Sequence, residues 1–470
     1  MHRVLREWRG RLSRALLVFA VAVLPWAGSP AAPAGAAPSS QLAPPSLARG
    51  VSAVEGGFDF LLDRYAQPLD PAALLQAAWT GVTESHAESL RVSIATIGAA
   101  SIDGDRSAAW LEYQRRFDAL VAAGGDADAL AQASNRAMAR SLDDCHTRFA
   151  TSYDKELTSY DGGERYGGIG ASALDAARFE PRPPGPVIIG IVEDGPGARA
   201  GIQLGDAVVG VDDIDVTGWP NSRVVELVRG APGTVVRLQV DRPGTAAPLV
   251  IPVERAEIQN SLIEFRLVPG ADGEPVGYVQ LKTFVRSVER LLPQAIEELR
   301  VQGAQRWVLD LRNNGGGSVP TFAVVASTFI KEGTLGVTID RNGAETLIST
   351  IRGAPGSQNG HKEFTLPLAV LVNSLSASAS ELLAADLQEY GAGRVFGETT
   401  AGCFGNSQLF RLPDGSAMWI TVRALQSGLA RRDVHKHGVT PDEVVRRSRE
   451  DLASGRDPQL EAALAWLGNN

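Results

Sequence analysis

From about Ile258 onward, strand-like and helix-like segments alternate, and that alternation restricts this part of the chain to an α/β layer on a largely parallel sheet. Val276-Gly-Tyr-Val-Gln-Leu281, Trp307-Val-Leu-Asp-Leu311 and Leu368-Ala-Val-Leu-Val372 are apolar runs of strand length. Val288 to Val301 carries apolar residues at three- and four-residue spacing, which predicts an amphipathic helix. Another helix is expected from Glu381 to Tyr390.

Two other textures precede this region. From Gly56 to Ala150 the apolar spacing is helical, around Leu61, Ala72 to Leu75, Leu111 to Leu120 and Leu130 to Leu142. From about Tyr166 to Arg255 glycines punctuate β-rich runs, among them Val187-Ile-Ile-Gly-Ile-Val192, Val208-Val-Gly-Val-Asp-Asp213 and Val235-Val-Arg-Leu-Gln-Val240. Val224 to Val228 looks helical. A chain of 470 residues exceeds a single core, so the expected class is a multi-domain α/β protein. The expected divisions are a signal peptide at 1–37, a Pro/Ala/Ser-rich linker at 38–55, and a helical N-terminal domain at 56–160. A glycine-rich β domain at 161–256, an α/β domain at 257–450 and a C-terminal tail at 451–470 follow.

Arg3 to Arg14 supply a basic start, Ala15 to Leu24 an apolar stretch, and Ala34-Gly35-Ala36 small residues before a cleavage point. Export is therefore expected, into a periplasmic, extracellular or envelope setting, with an uncleaved membrane anchor as the alternative. The net charge of −9 argues against a nucleic-acid partner. Two cysteines, Cys145 and Cys403, either pair as a disulfide or remain free thiols. The lysines are Lys155, Lys282, Lys331, Lys362 and Lys436.

The middle segment resembles a PDZ domain. Gly167-Gly-Ile-Gly170 is a turn that can bare backbone N–H groups to a terminal carboxylate, and the edge from Ile169 to Ala173 can pair with an extended peptide. Pro196 to Asp206, with its Pro-x-x-x-Ala-Gly-Ile-x-x-Gly-Asp pattern, matches the turn-helix-turn of that fold. Gly167, Gly168, Ile169 and Gly170 are accordingly the candidate peptide-binding residues.

Four runs of the last region resemble the C-terminal processing (tail-specific) serine peptidase family, in the family's order. They are Asp310-Leu-Arg-Asn-Asn-Gly-Gly-Gly317, Ser376-Ala-Ser-Ala-Ser-Glu381, Gly397-Glu-Thr-Thr-Ala-Gly402 and His435-Lys-His-Gly-Val-Thr-Pro-Asp442. The resemblance implies a PDZ-bearing serine endopeptidase that takes protein or peptide substrates by their C-termini and needs no cofactor. It makes Ser378 the nucleophile, at a helix N-terminus whose dipole favours developing negative charge. Ala379 N–H, with Gly316 or Gly317, would line an oxyanion hole. The structural alternative is that Ser378-Ala-Ser-Glu381 is a helix capping box and the glycines a tight turn.

The resemblance breaks at the base. The family's lysine follows Thr-x-Gly, and here Thr400-Ala-Gly402 is followed by Cys403. A serine hydroxyl is a weak nucleophile until a base takes its proton. In a tricorn-like Ser-His variant His146, in Asp143-Asp-Cys-His-Thr147, would be that base, with Asp433 or another carboxylate orienting it. His435 is the second candidate, and Glu381 could support either. If Cys145 and Cys403 are bonded, their Cα atoms lie within roughly 7 Å, which pins His146 beside the former lysine position. With no base in reach, the chain is a pseudoprotease, a PDZ scaffold that binds without cutting. His435 and His437 would share a strand face, but no cluster around them completes a metal site, so none is expected.

Overall fold

Four helices, Pro45–Arg64, Pro71–Ser85, Arg106–Ala122 and Ala127–Ser141, form the N-terminal layer of the computed structural model. The structure describes residues 45–86, 94, 97, 101–160, 166–258, 261–353 and 367–470, so the expected signal segment lies outside the described residues. Asp70, Asp105 and Asp126 accept first-turn N–H groups and start three of these helices. The first helix begins at Pro45, inside the stretch read as linker. A proline in the first turn forfeits no helical hydrogen bond, and Val54, Phe58 and Leu61 turn inward from this helix. Phe58, Trp79, Tyr113 and Phe117 share their core with Met418 and Ile420 of strand Ala417–Gln426, which fuses the helical layer to the last region.

The glycine-rich segment folds as an antiparallel sheet in the order Ala171–Leu174, Val187–Ile191, Ala207–Val211, Val235–Asp241, Leu249–Glu254. Val236, Leu238 and Val240 are buried while their neighbours are exposed, the period of two that a one-sided sheet demands. Tyr166–Gly168 pairs with Ala256–Ile258 instead of extending this sheet. Ala171–Leu174 is therefore the sheet's outer strand, with one edge unpaired among the described residues.

The last region holds a six-stranded sheet ordered Ile263–Pro269, Pro275–Leu281, Arg306–Asp310, Leu368–Val372, Arg394–Gly397, Glu443–Val444. The first pair is antiparallel and all others are parallel. Leu368–Val372 is buried at every residue because both faces are covered. Helices Val288–Val301, Val319–Phe329 and Ala379–Glu389 cover one face, and helix Pro458–Gly468 covers the other through Ala463 and Leu467. A second sheet gathers Arg148–Ala150, Ala417–Gln426, Thr334–Asp340, Glu345–Ser349 and Asn406–Arg411. In it Arg148–Ala150 pairs antiparallel with Trp419–Ala417, which anchors the Asp143–Thr147 segment to the α/β layer.

Helix Ala379–Glu389 carries a buried acid. Asp386 Oδ1 accepts Gly428 N–H at 3.0 Å, and Oδ2 has no partner. Burial pushes this carboxyl up to about 8, against that hydrogen bond and with help from Glu389. The folded protein thus keeps a proton that the unfolded chain releases above about pH 4. Stability from this group is complete below that pH and is lost as pH rises through the folded value, by up to about 1.4 kcal/mol per unit. Asp386→Asn is expected to flatten that slope in urea unfolding between about pH 5 and about pH 8. Parallel slopes for the two proteins would exclude the buried proton.

Candidate active site

Strand Leu368–Val372 delivers the chain through a short loop to Ser378, the N-cap of helix Ala379–Glu389. Ser378 has φ 56° and ψ −118°, a left-handed conformation that a non-glycine residue keeps only when its surroundings enforce it. Here two acceptors hold its N–H: Cys403 O at 2.9 Å and Glu381 Oε2 at 2.9 Å. The capping box expected as the alternative is present, with the Ser378 side chain facing the Glu381 N–H and the Glu381 carboxylate taking Ser378 N–H, but the serine half is too loose to count as a hydrogen bond. The flanking serines differ. Ser376 Oγ donates to Leu311 O at 2.8 Å and Ser380 Oγ to Asn314 O at 2.9 Å, both fully buried. Of the three serines in the run, Ser378 alone has a half-buried hydroxyl with no hydrogen-bond partner among the described residues.

The glycine loop presses against this residue. A Cβ on Gly316 would lie 2.7 Å from Ser378 Cβ, and Gly316 has φ +95°, so only glycine fits. Gly316 N–H donates to Asn314 Oδ1 at 2.9 Å, and Asn314 Nδ2 donates to Leu281 O at 2.8 Å, which fixes the loop. The N–H groups of Gly317 and Ala379 have no acceptor among the described residues.

Glu381 ties this turn to a distant segment. Fully buried, it accepts Ser378 N–H, Thr400 Oγ1 at 2.6 Å, Gly402 N–H at 2.7 Å and Cys403 N–H at 2.9 Å. Burial raises its pKa while these donors oppose the rise. The residue after Thr-Ala-Gly thereby sits against Ser378, its carbonyl taking the serine N–H.

Cys403 is bonded to Cys145, with an S–S length of 2.08 Å and Cα atoms 5.8 Å apart. His146 follows, its Nδ1 3.5 Å from Cys145 Sγ and 3.5 Å from Cys403 Sγ. Burial lowers the imidazole pKa, with His435 and Arg148 acting the same way and Asp144 opposing, which favours the neutral ring. Asp144 is taken up by other donors, accepting His146 backbone N–H at 3.0 Å and the Thr147 hydroxyl at 2.7 Å. Among the described residues no carboxylate hydrogen-bonds the His146 ring, and no hydrogen bond joins His146 to Ser378.

His435 stands nearby, its Nδ1 buried without a partner. Asp433 accepts His435 backbone N–H at 2.9 Å, so it caps a turn and does not orient an imidazole. The strand face expected for His435 and His437 is absent. Lys436 has φ 62°, and the N–H groups of His437 and Gly438 both return to Val434 O, which makes the segment a turn. Lys436 N–H donates to Gly402 O at 2.7 Å, while its ammonium is paired with Asp143 at 2.8 Å. Lys282 is paired with Glu264, and Lys362 lies outside the described residues.

A cavity of about 650 Å³ separates the two β systems, lined by Gly170, Ala171 and Ser172 on one side and Lys282, Asn313 and Asn373 on the other. The free edge of strand Ala171–Leu174 adjoins it. Gly167 is forced by close approach, since a Cβ there would meet Gly230 O at 2.0 Å, and Gly168 is buried beside it. Ile169 turns its side chain into the core and gives its carbonyl to Gly197 N–H at 2.7 Å.

Comparison with known proteins fits this geometry. Residues 275–445 match peptidase family S41, and residues 187–242 match a PDZ domain. The carboxyl-terminal-processing protease of Synechocystis sp. is 32% identical over 275 residues, 58% of this chain and 62% of that protein. Its counterpart in Picosynechococcus sp. is 34% identical over 275 residues, 58% and 64% of the two chains. The chain thus spans less than two thirds of the length of these relatives. The solved photosystem II D1 C-terminal processing protease superposes with a TM-score of 0.53 at 25% identity, covering 89% of this chain and 97% of that one. Mature CPAF shares the fold, with a TM-score of 0.54 at 11% identity over 90% and 98% of the chains. The fold is that of a PDZ-bearing α/β peptidase. The chain carries the S41 and PDZ domains of the C-terminal processing peptidases, its homologues.

Removing the Glu381 carboxylate would strand four donors, at about 1–3 kcal/mol for each that stays buried and unpaired. Glu381→Ala is expected to lose at least about 3 kcal/mol in urea unfolding. A loss below about 1 kcal/mol would mean that the two loops are held together by something else.

Proposed function

We propose that the chain is an exported serine endopeptidase in which Ser378 attacks the peptide bond and His146 takes its proton. The observation that carries this reading is the Cys145–Cys403 disulfide, because it fastens the His146 imidazole to the residue whose carbonyl holds Ser378 N–H. His146 would receive the Ser378 proton, pass it to the leaving amine, and then activate water to release the acyl-enzyme. Substrate binding would draw the two side chains into contact, since catalytic hydrogen bonds are often long without substrate. Gly317 and Ala379 supply the uncommitted N–H groups for the oxyanion, and Gly316 provides the close approach. Extended chains, C-termini among them, would add as a strand to the edge Ala171–Leu174, with Gly167–Gly170, the end of strand Tyr166–Gly168 and the bend after it, receiving the end. The disulfide supports an oxidising compartment, in keeping with export.

One observation favours a second reading. Ser378 Oγ has no hydrogen-bond partner among the described residues, as in a PDZ scaffold that binds peptides without cutting them. Cleavage of unfolded casein and labelling by a fluorophosphonate separate the two. The wild type is expected to cut and to be labelled, with Ser378→Ala losing both and His146→Ala losing about 10²–10⁴ in rate. A Ser378→Ala variant that still cuts would sink the assignment. A wild type that neither cuts nor is labelled would give the scaffold reading the lead.

A further inference from the structure

We propose that the reduced protein binds one Zn²⁺ ion through Cys145 Sγ, Cys403 Sγ and His146 Nδ1, a site distinct in chemistry from peptide hydrolysis. The three ligand atoms lie within 4.8 Å of one another, and His146 Nδ1 is 3.5 Å from each sulfur. In a tetrahedral zinc site with Zn–S about 2.3 Å and Zn–N about 2.0–2.1 Å, sulfur and nitrogen stand roughly 3.5–3.6 Å apart. Two edges of that tetrahedron therefore already exist. The third, between the sulfurs, needs roughly 3.8 Å and opens only once their bond is broken.

The backbone is braced for that opening from outside the disulfide. Cys403 is held by Glu381 and Ser378, and the Cys145 side by strand Arg148–Ala150 and by Thr147 Oγ1, which accepts Thr421 N–H at 3.0 Å. Reduction thus frees two thiols in place, where an unbraced pair would scatter. A dithiol or phosphine reductant supplies two electrons, two protons complete the thiols, and Zn²⁺ then displaces both protons to give thiolate ligands. Thiolates with imidazole are a donor set that selects zinc over magnesium or calcium. Three protein ligands leave the fourth tetrahedral position to water. From the sequence His435 and His437 lack the partners of a metal site and none is expected; the fold gathers thiols from residues 258 apart beside His146.

Zinc bound here would also withhold His146 from Ser378, a consequence that depends on the peptidase reading, whereas the metal site does not. The test therefore uses metal alone. The purified full chain is treated with a phosphine reductant, freed of metal and titrated with Co²⁺ and then Zn²⁺, beside the untreated oxidised chain. The expected result is one Co²⁺ per reduced chain with the charge-transfer and tetrahedral ligand-field bands of thiolate coordination, displaced by Zn²⁺, and none in the oxidised chain. Reduced His146→Ala should bind more weakly by at least the about 10–100-fold that changes behind a ligand cost, and Cys145→Ser/Cys403→Ser should not bind. The absence of bands in the reduced wild type would overturn the site. So would equal affinity in reduced His146→Ala, the result expected of two thiols in an unfolded chain.

Discussion

The Glu381 carboxylate is the interaction on which the candidate site depends. It reaches back from the first helical turn to Ser378 N–H and sideways to Thr400, Gly402 and Cys403. A buried carboxylate surrounded by four donors tolerates no displacement, because any lost hydrogen bond leaves a desolvated partner. That is why Ser378 can be kept at a positive φ: its strain is opposed at the N–H by two acceptors and at the Cβ by Gly316. The disulfide extends the same fastening to the N-terminal layer. Closing a loop of 258 residues removes roughly 5–6 kcal/mol of unfolded-chain freedom by the chain-entropy argument. The Arg148–Ala150 pairing then holds the segment that carries His146.

The PDZ unit is positioned by a different contact. Leu452, on helix Arg449–Ala453, enters an apolar cluster with Phe179, Val187 and Ala207. Arg449 donates to Gly205 O at 2.7 Å and pairs with Asp241 at 2.8 Å. Gly205 must be glycine there, since it has φ +84° and a Cβ would lie 3.0 Å from Arg449 O. Helix Arg449–Ala453 thus grips the sheet away from strand Ala171–Leu174, which leaves that edge facing the cavity. The Arg449–Asp241 pair is short, but its energy at a partly exposed surface is small, so Leu452 burial carries the docking.

Much of this architecture was legible because it is written in local periodicity. The helix Val288–Val301 and strand Leu368–Val372 fall where the apolar spacing puts them. The second sheet was not legible. Asn406–Arg411 and Ala417–Gln426 are half-buried strands stabilised by pairing with each other and with residues 148–150, and no local pattern encodes a partner that far away. The same limit applies to the site. Glu381 could be read from sequence only as half of a capping box, since three of its four donors lie 19 to 22 residues further on. The His435 turn was missed for a related reason: Lys436 adopts its left-handed φ because Gly402 O takes its N–H, a tertiary contact.

Replacing lysine by cysteine at this position changes what the surroundings must accomplish. A lysine base starts from an ordinary pKa of about 10.4 and must lose roughly three units before it is neutral near pH 7. An imidazole starts near 6.5, and the burial that lowers His146 pushes it further toward the neutral form. Under the proposed reading the demand shifts from desolvation to orientation. A flat ring must aim one nitrogen, and the usual device, a carboxylate on the other nitrogen, has no counterpart among the described residues. Here the two sulfurs of the disulfide flank Nδ1 instead, fixing the ring by contact without adding the charge that would raise its pKa. The bond that positions the ring is also one that a reductant can open. Orientation of the His146 ring and the redox state of Cys145 and Cys403 are thereby one structural variable.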